Sequence, residues 1–274
     1  MSTPGFQLAE RAAERYEQWV GTFMTPMAEA LIDAVGVRPG QDVLDVACGT
    51  GFVTRLVAPR AGADHVTGVD VNPGMLAVAG RCCPEGITLI QAPADDLPLD
   101  AGSVDVVLCQ QGAQFFPDRA AAFHELRRVL RPGGMLAATV WNGPDDNPFL
   151  AAQTAGIRAA LGDEVADPIV AAMGGGSDRW LAEAAAGAGL VDVSVQPSAR
   201  TVTIPDAAEY LRDQVLATPW GARVTEGGPD VQRVFVERGM AALQGCVGGD
   251  GAARVPFTAN LLLARSPLSS ESNA

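Results

Sequence analysis

Apolar segments of strand length alternate with helix-like segments between residues 40 and 141. The strand-like segments are DVLDVA (42–47), HVTGVDV (65–71), ITLIQA (87–92), SVDVVLC (103–109) and MLAATVW (135–141). The intervening segments predict helices over 51–60, 73–81 and 118–131, with Pro132, Gly133 and Gly134 ending the last one. Nearly continuous apolar strands are typical of a parallel sheet covered on both faces. The pattern therefore predicts a doubly wound α/β fold, with its ligand site at the carboxyl ends of the strands.

The pattern changes after Trp141. NPFLAAQTAGIRAAL and DRWLAEAAAGAGL are predicted to be helical, and LVDVSV with RTVTI to form a strand or a hairpin. Two further helical segments, PDAAEYLRDQVLA and PDVQRVFVERGMAALQ, precede a last strand-like run, VPFTANLLLA. We therefore predict a seven-stranded, mostly parallel sheet within one domain over residues 1–265.

That domain is predicted to have four parts and a tail. They are a ligand-binding core at about 36–145, helical additions at about 6–34 and 146–188, a helical lid insertion at about 205–250, and a disordered tail at 266–274. The insertion precedes the final strand, a position from which it can cover the carboxyl edge of the sheet.

Composition and charge narrow the classes of function. Hydrophobic residues make up 48% of the chain and charged residues 19%, which is typical of a folded globular protein. The formal net charge of -13 repels phosphate backbones, so DNA and RNA are disfavoured as partners and a small-molecule substrate is favoured. We find neither a signal-peptide pattern nor an apolar run of about 18 residues, and so expect a cytoplasmic protein without a membrane span. The oligomeric state is not readable from these features.

Five cysteines are present, at positions 48, 82, 83, 109 and 246. Their spacing contains no CxxC pair and their number is odd, so neither a disulfide framework nor a metal site is predicted. We expect reduced, mostly buried thiols.

The segment VLDVACGTG (43–51) carries the strongest local signal. A buried strand ends near Asp45 and turns through Gly49 and Gly51 into a helix, and glycines at such a turn allow positive φ angles and close approach of a ligand. Asp70 follows Gly51 by nineteen residues, at the end of the next strand, where a carboxylate can accept both ribose hydroxyls of an adenosine.

Two features disfavour a dinucleotide at this turn. The small third residue of a GxGxxG motif is Thr54 when counted from Gly49, and Phe52 when counted from Ala47. The Asp45 carboxylate beside the turn repels a diphosphate and suits an ammonium or sulfonium group. A positively charged adenosine derivative therefore fits better.

VLDVACGTG, GVDVNPGML, LPLDAGSVDVVLCQQGAQFFPD and ELRRVLRPGGML together resemble the successive motifs of the class I S-adenosylmethionine-dependent methyltransferases. The resemblance covers about residues 10–141 and is greatest to the group related to the ubiquinone and menaquinone C-methyltransferases. It implies a Rossmann-like methyltransferase fold and S-adenosyl-L-methionine as the cofactor.

The resemblance also implies which residues hold the cofactor. Asp45 and the loop from Ala47 to Gly51, which includes Gly49, would hold the methionine part, and Asp70 the ribose. Val71 and Met75 would flank the adenine, and Ala94 and Asp95 would reach its edge. The backbone of Gln110 would meet the amino group. Tyr16 matches an aromatic residue that closes on the cofactor in related enzymes, or it packs only as a helix residue.

The sequence departs from the family pattern at two positions. Ala47 replaces the first glycine of the family's DxGxGxG motif. Pro93 stands where an acidic residue commonly precedes the adenine-edge segment, so adenine recognition would depend on Asp95 or on the backbone at Ala94.

The sequence offers no general base at the carboxyl edge. His124 is predicted on a solvated helix face, and His65 lies at the amino end of the second strand. Candidates for the acceptor side are Gln110, Gln111, Gln114, Phe115, Phe116 and Trp141. Methyl displacement depends mainly on alignment, so these residues need only orient an acceptor. Activated acceptors such as phenols, enols or amines are therefore favoured.

The predicted function is S-adenosylmethionine-dependent methylation of a small hydrophobic metabolite or natural product, at oxygen or carbon. The hydrophobic character is inferred from Tyr210, Trp220 and Phe235 in the predicted lid. Two alternatives stay open. One is an S-adenosylmethionine-binding enzyme that catalyses a non-methylating reaction on the same fold, and the less favoured one is an NAD-dependent oxidoreductase.

Overall fold

The computed structural model describes residues 10–173, 177–218 and 220–268. Within them lie seven strands, whose bounds are β1 Val43–Val46, β2 Val66–Asp70, β3 Thr88–Gln91, β4 Val104–Gln110, β5 Leu130–Trp141, β6 Val191–Ile204 and β7 Ala253–Arg265. The helices are α1 Glu10–Val35, α2 Phe52–Ala61, α3 Pro73–Cys82, α4 Arg119–Val129, α5 Pro148–Leu161, α6 Asp163–Met173, α7 Ser177–Gly187, α8 Ala207–Val215, α9 Gly221–Glu226 and α10 Gly228–Leu243.

The strands form one sheet in the order β3-β2-β1-β4-β5-β7-β6. The pairs β3-β2, β2-β1, β1-β4 and β4-β5 are parallel, and only β7 runs antiparallel to its neighbours. The predicted doubly wound, mostly parallel seven-stranded sheet is thereby confirmed. Because β1 to β5 are parallel, their carboxyl ends share one edge of the sheet.

Alternation along the central strands sends side chains to the two faces of the sheet. On one face, Val43 and Leu108 pack with Leu31 of α1 and Val57 of α2. On the other face, neighbouring strand residues pack against a second layer, made by residues of α4 and α7 such as Phe123 and Leu181. The strands β1, β2 and β4 are therefore buried on both sides, which explains their nearly continuous apolar sequences, whereas the edge strand β3 is only partly buried.

A further hydrophobic cluster is built by β6, β7 and the helices that follow β5. It includes Phe149 of α5, Leu211 of α8, Phe235 of α10 and Phe257 of β7. Helices α8, α9 and α10 occupy the chain between β6 and β7, where an insertion was predicted. The lid role of this insertion stays a prediction.

Several predicted boundaries differ from the structure. Of the two alternatives left open for LVDVSV and RTVTI, the structure has the strand: both lie in β6, which pairs along most of its length with β7. Helix α4 ends at Val129, and Pro132 and Gly133 lie in an irregular start of β5 between the pairs Val104–Leu130 and Val106–Met135, so they do not end the helix. Helix α6 follows α5 directly after Gly162.

Two further expectations on the chain are corrected or limited. Of the five cysteine thiols, only Cys48 and Cys109 are buried, and Cys82 is exposed. In the predicted disordered tail, Ser266 is buried and its backbone exchanges hydrogen bonds with residues 133 and 134, because it continues beyond β7 alongside the start of β5. Residues 269–274 of that tail, and residues 6–9 of the predicted N-terminal helix, lie outside the described residues.

Among the helices of the described residues, none combines the length and apolar character needed to cross a bilayer.

Candidate active site

A cavity of about 280 Å³ opens at the carboxyl edge of the sheet. Its wall draws on the ends of β1, β2, β4 and β5, on the segments that follow β3 and β4, and on α1, α5 and the α8–α9 region. The strand order places β2 and β3 on one side of the β1–β4 pair and β5 and β7 on the other. The lining therefore divides into a part near β1 to β3 and a part near β5 and β7.

The turn between β1 and α2 is built from left-handed backbone. Ala47, Gly49 and Gly51 have φ angles of 57°, 57° and 79°. A Cβ atom on Gly51 would lie 2.5 Å from the sulfur of Cys83, whereas one on Gly49 would meet no atom within 4 Å. Gly51 therefore permits close packing of α2 on α3, and Gly49 presents bare backbone to open space.

Ala47 adopts this conformation despite its Cβ, which is strained for a residue other than glycine. Gly112, just after β4, makes room for it: a Cβ on Gly112 would lie 2.5 Å from the Cβ of Ala47. The alanine that departs from the family motif is thus accommodated by Gly112, which follows β4, the neighbour of β1 in the sheet.

Asp45 is buried beneath this turn, at 1% exposure. One carboxylate oxygen accepts a 2.6 Å hydrogen bond from the Thr54 hydroxyl of α2. Burial raises the pKa of Asp45 to about 7, the Thr54 hydrogen bond lowers it, and the charge of Asp70 raises it further. Asp45 is therefore a buried negative charge whose strength depends on pH near neutrality.

Asp70 is the last residue of β2, and its carboxylate links the turn after β1 to the turn after β2 by hydrogen bonds. One carboxylate oxygen accepts from the backbone N–H of Gly49 at 2.8 Å, and the other from that of Asn72 at 2.8 Å. Burial raises the pKa of Asp70, although these backbone hydrogen bonds oppose the rise. Each oxygen keeps a second lone pair for a ligand hydroxyl. Tyr16 lies close enough that burial first, and the Asp70 charge second, raise the pKa of its phenol, which is therefore neutral.

The residues after Asp70 form an apolar ledge beside the cavity. Val71 is 48% exposed, which is unusual for a large aliphatic side chain in this protein, whereas Met75 is buried. Asn72 caps α3 by accepting hydrogen bonds from the backbone N–H groups of Gly74 and Met75, and so fixes the direction of the helix. The ledge therefore offers a fixed apolar surface that a flat ring can cover.

These features fit an adenosine derivative. The cavity is lined by eight of the predicted cofactor residues: Tyr16, Ala47, Asp70, Val71, Met75, Ala94, Asp95 and Gln110. The other three, Asp45, Gly49 and Gly51, belong to the β1–α2 turn but not to the lining. Contact of these residues with a cofactor stays a prediction.

The other part of the lining carries amides and aromatic rings. The predicted acceptor-side residues Gln111, Gln114, Phe115, Phe116 and Trp141 all line the cavity. Of the three aromatic residues predicted in the lid, Trp220 lines it as well. Tyr210 and Phe235 do not line it: both are buried in the cluster with Phe149, where Tyr210 donates a 2.9 Å hydrogen bond to the Trp19 carbonyl.

The sequence interpretation missed several lining residues. They include Met24, Ala92, Asp118, Phe149, Leu150, Gln153, Gln214, Thr218 and Phe257. Gln153 and Gln214 could have been found, because each is a polar residue on the apolar stripe of an amphipathic helix, Gln153 four residues after Phe149 and Gln214 four after Tyr210. In the structure Gln153 donates its amide N–H to the side-chain oxygen of Gln214.

No histidine, lysine, arginine or cysteine of the described residues lines the cavity. His124 is exposed, and His65 lies at the amino edge with its Nδ1 atom 2.8 Å from an Asp42 oxygen. In the part of the chain that the structure describes, no group of three histidine, cysteine, aspartate or glutamate residues is arranged to hold a metal ion. The acceptor end of the cavity is therefore built mainly from uncharged side chains. The carboxylate that lines it, Asp118, caps α4 by accepting from the backbone N–H of Ala121.

Comparison with known proteins agrees with the geometry. The sequence family described as "Methyltransferase domain" matches residues 44–138, which span β1 to β5. Residues 44–138 of this chain are thus similar to a methyltransferase domain. The resemblance of its motifs to that family is thereby confirmed, as are the Rossmann-like fold and S-adenosyl-L-methionine as the cofactor of the family.

Two curated relatives with different substrates are similar to part of this chain. Nocamycin O-methyltransferase of Saccharothrix syringae is 35% identical over 170 residues, 60% of each chain. The 2-methyl-6-phytyl-1,4-hydroquinone methyltransferase of Synechocystis is 34% identical over 178 residues, 53% of this chain and 56% of that protein. The chain thus spans at most about three fifths of the length of these curated relatives.

A solved structure supports the fold of the methyltransferase domain. Phosphoethanolamine N-methyltransferase 2 of Haemonchus contortus, in complex with S-adenosyl-L-methionine, superposes with a TM-score of 0.61 at 19% identity. The match covers 94% of this chain and 57% of that one. At this identity the likeness shows the fold alone.

Proposed function

We propose that this protein transfers the methyl group of S-adenosyl-L-methionine to an oxygen or carbon atom of a small, uncharged and largely hydrophobic metabolite. The observation that supports this proposal is the single cavity, which joins predicted cofactor residues such as Asp70 and Val71 to a chamber of glutamines and aromatic rings. Anionic acceptors have no cationic side chain to pair with there, and an unpaired buried charge is costly.

Different residues of the cavity would bind different parts of the cofactor. Asp70 would accept hydrogen bonds from the ribose hydroxyls, Val71 and Met75 would pack on the adenine, and the Ala47–Gly51 turn would hold the methionine part. When bound, the cofactor supplies an electrophilic methyl group on a sulfonium. The buried Asp45 carboxylate favours positive charge nearby, and its raised pKa makes this effect stronger above about pH 7.

The acceptor end would orient rather than deprotonate its ligand. No histidine, lysine or cysteine of the described residues lines the cavity, and the Asp118 carboxylate that does line it is held by the Ala121 N–H as the cap of α4. The substrate itself therefore has to bring an easily ionised or nucleophilic atom. Phenols and enols meet this requirement better than aliphatic alcohols. Alignment in a water-poor cavity contributes roughly 7–11 kcal/mol to lowering the barrier of such a displacement.

Calorimetry with the purified protein tests the cofactor part of the proposal. S-adenosyl-L-methionine and S-adenosylhomocysteine are expected to bind and NAD is not. Asp70→Ala should weaken both nucleosides about 100-fold, because two hydrogen bonds to a charged acceptor are lost. Asp64→Ala, at the amino end next to the same strand, is the matched control and should bind like the unmodified protein.

Labelled methyl transfer then tests the reaction. With methyl-labelled S-adenosyl-L-methionine and a panel of phenols and enols, we expect label in the organic product and equimolar S-adenosylhomocysteine. Binding of both nucleosides without transfer to any acceptor would favour a non-methylating reaction on this fold. Binding of NAD alone would reject the proposal.

A further inference from the structure

Two glutamines at the end of β4 bury amide atoms that have no protein partner. Both side-chain atoms of Gln114, Nε2 and Oε1, and the Oε1 atom of Gln111 are buried without a hydrogen-bond partner among the described residues. The two residues are only 7% and 8% exposed, and both line the cavity.

Other glutamines of the same cavity behave differently. Gln110 donates to the Met24 carbonyl at 3.4 Å, and Gln153 donates to Gln214. Buried amides nearly always have partners, because an unsatisfied polar atom is destabilising. Among the glutamines of the described residues that line the cavity, only Gln111 and Gln114 have such unpartnered buried atoms, and these atoms point to a ligand that satisfies them.

The backbone holds both glutamines in place. Gln111 has a φ angle of 55°, a strained value for a residue with a side chain. Its backbone N–H donates to the Thr139 carbonyl at 2.9 Å, and its Nε2 lies 3.3 Å from the Thr139 hydroxyl. The Gln114 carbonyl accepts from Arg119 at 3.2 Å, and that guanidinium stacks 4.0 Å from the Trp180 ring. The amides are thus pre-positioned, which lowers the entropy that binding must overcome.

The free atoms define a complementary ligand. The Nε2 and Oε1 atoms of Gln114 are attached to the same carbon, so a group that satisfies both must carry an acceptor and a donor side by side. Two oxygens on neighbouring carbon atoms, at least one of them a hydroxyl, have this arrangement. Gln111 Oε1 is a further acceptor, and the rings of Phe115, Phe116 and Trp141 supply apolar walls. A carboxylate or phosphate offers acceptors only and would oppose both Oε1 atoms.

We propose that Gln111 and Gln114 determine acceptor specificity by binding a neutral, vicinal pair of oxygens, as in a catechol or an α-hydroxy enone, next to the methylated atom. This inference rests on the proposed function and adds the substrate class to it.

The test measures binding of four probes to the protein saturated with S-adenosylhomocysteine: catechol, phenol, 1,2-dimethoxybenzene and benzoate. Catechol should bind tightest, because it alone offers a donor and an acceptor on neighbouring carbons. Gln114→Met keeps the length of the side chain and removes both hydrogen-bonding atoms, and should weaken catechol about 10-fold or more. Phenol should be affected less. Gln196→Met, on the exposed face of the edge strand β6, is the matched control and should leave all four affinities unchanged.

A thermal melt of the ligand-free variant separates recognition from structure. Gln114→Met removes two unpartnered buried atoms, so its melting temperature should equal or exceed that of the unmodified protein. A lower melting temperature would show that the amide has an internal structural role and would overturn the inference.

Each other outcome also decides the question. Equal catechol affinity in Gln114→Met and the unmodified protein, tighter binding of benzoate than of catechol, or no binding of catechol would overturn the inference while leaving the proposed function intact. Failure of S-adenosylhomocysteine to bind the unmodified protein would overturn the proposed function and the inference with it.

Discussion

The burial of Asp45 predicts an unusual dependence of stability on pH. Its pKa is about 7 in the folded protein, against an ordinary value of 3.8. Because the folded-state pKa is raised, the folded protein keeps a proton between these values that the unfolded chain has released. The stability contributed by Asp45 is therefore highest below about pH 4, falls as the pH rises, and levels above about pH 7. Linkage gives a loss of roughly 2–3 kcal/mol between pH 5 and pH 8.

Asp45→Asn isolates this contribution. Asparagine keeps the shape of the side chain and an oxygen that can accept from Thr54, but it cannot ionise. The free energy of unfolding in urea would be measured at pH 5 and pH 8, without ligand, for the variant and the unmodified protein. The difference in the free energy of unfolding, variant minus unmodified protein, should increase by roughly 2–3 kcal/mol from pH 5 to pH 8. The variant gains relative stability because it has no carboxylate that must ionise in a buried site.

Glu125→Gln is the control for this measurement. A hydrogen bond from Arg128 lowers the pKa of Glu125, so its carboxylate is ionised over this pH range and the stability difference should be nearly the same at both pH values. If the difference between Asp45→Asn and the unmodified protein were also the same at pH 5 and pH 8, the reasoning about the buried carboxylate would be refuted.

Two further predictions concern packing around the site. Gly112→Ala places a Cβ atom 2.5 Å from the Cβ of Ala47 and should destabilise the protein by about 1–3 kcal/mol. Adding Ala47→Gly should restore most of this loss, because it removes the atom that the new Cβ meets. Urea denaturation of both single variants and the double variant measures the coupling, and strict additivity of their effects would contradict the prediction. Asn147→Ala should lower the free energy of unfolding, measured in urea, by about 3 kcal/mol. The side-chain amide of Asn147 is fully buried, accepts from the Thr258 N–H and donates to the Thr258 carbonyl. A change within about 0.5 kcal/mol would contradict this prediction.

Features that depend on neighbours in sequence were predictable. The strands β1 to β5 and the helices between them follow from apolar periodicity, since the strands other than the edge strand β3 are largely buried on both faces. The placement of Asp45, Asp70 and Gln111 at one edge follows as well, because parallel strands bring their carboxyl ends together. The resemblance of the motifs to a known family predicted the identity of the cofactor. The positive φ angles of Gly49 and Gly51 agree with the turn that those motifs imply.

Features that depend on distant segments appeared only in the tertiary structure. The pattern of residues 190–204 left a strand and a hairpin equally open, and pairing with β7 decided for one long strand. Tyr210 and Phe235 are buried in the hydrophobic cluster, because α10 of the insertion packs on α5 and on α8.

The sequence by itself determined the core sheet and the acidic residues at its edge, because local periodicity encodes which faces are buried. Only the tertiary structure decided the electrostatics and the shape of the site. Solvent exclusion from all sides shifts the pKa of Asp45, Gly112 makes room for Ala47, and Gln153 of α5 meets Gln214 of α8. The physical reason is that desolvation and close packing are set by groups far apart along the chain, and no local pattern of residues records them.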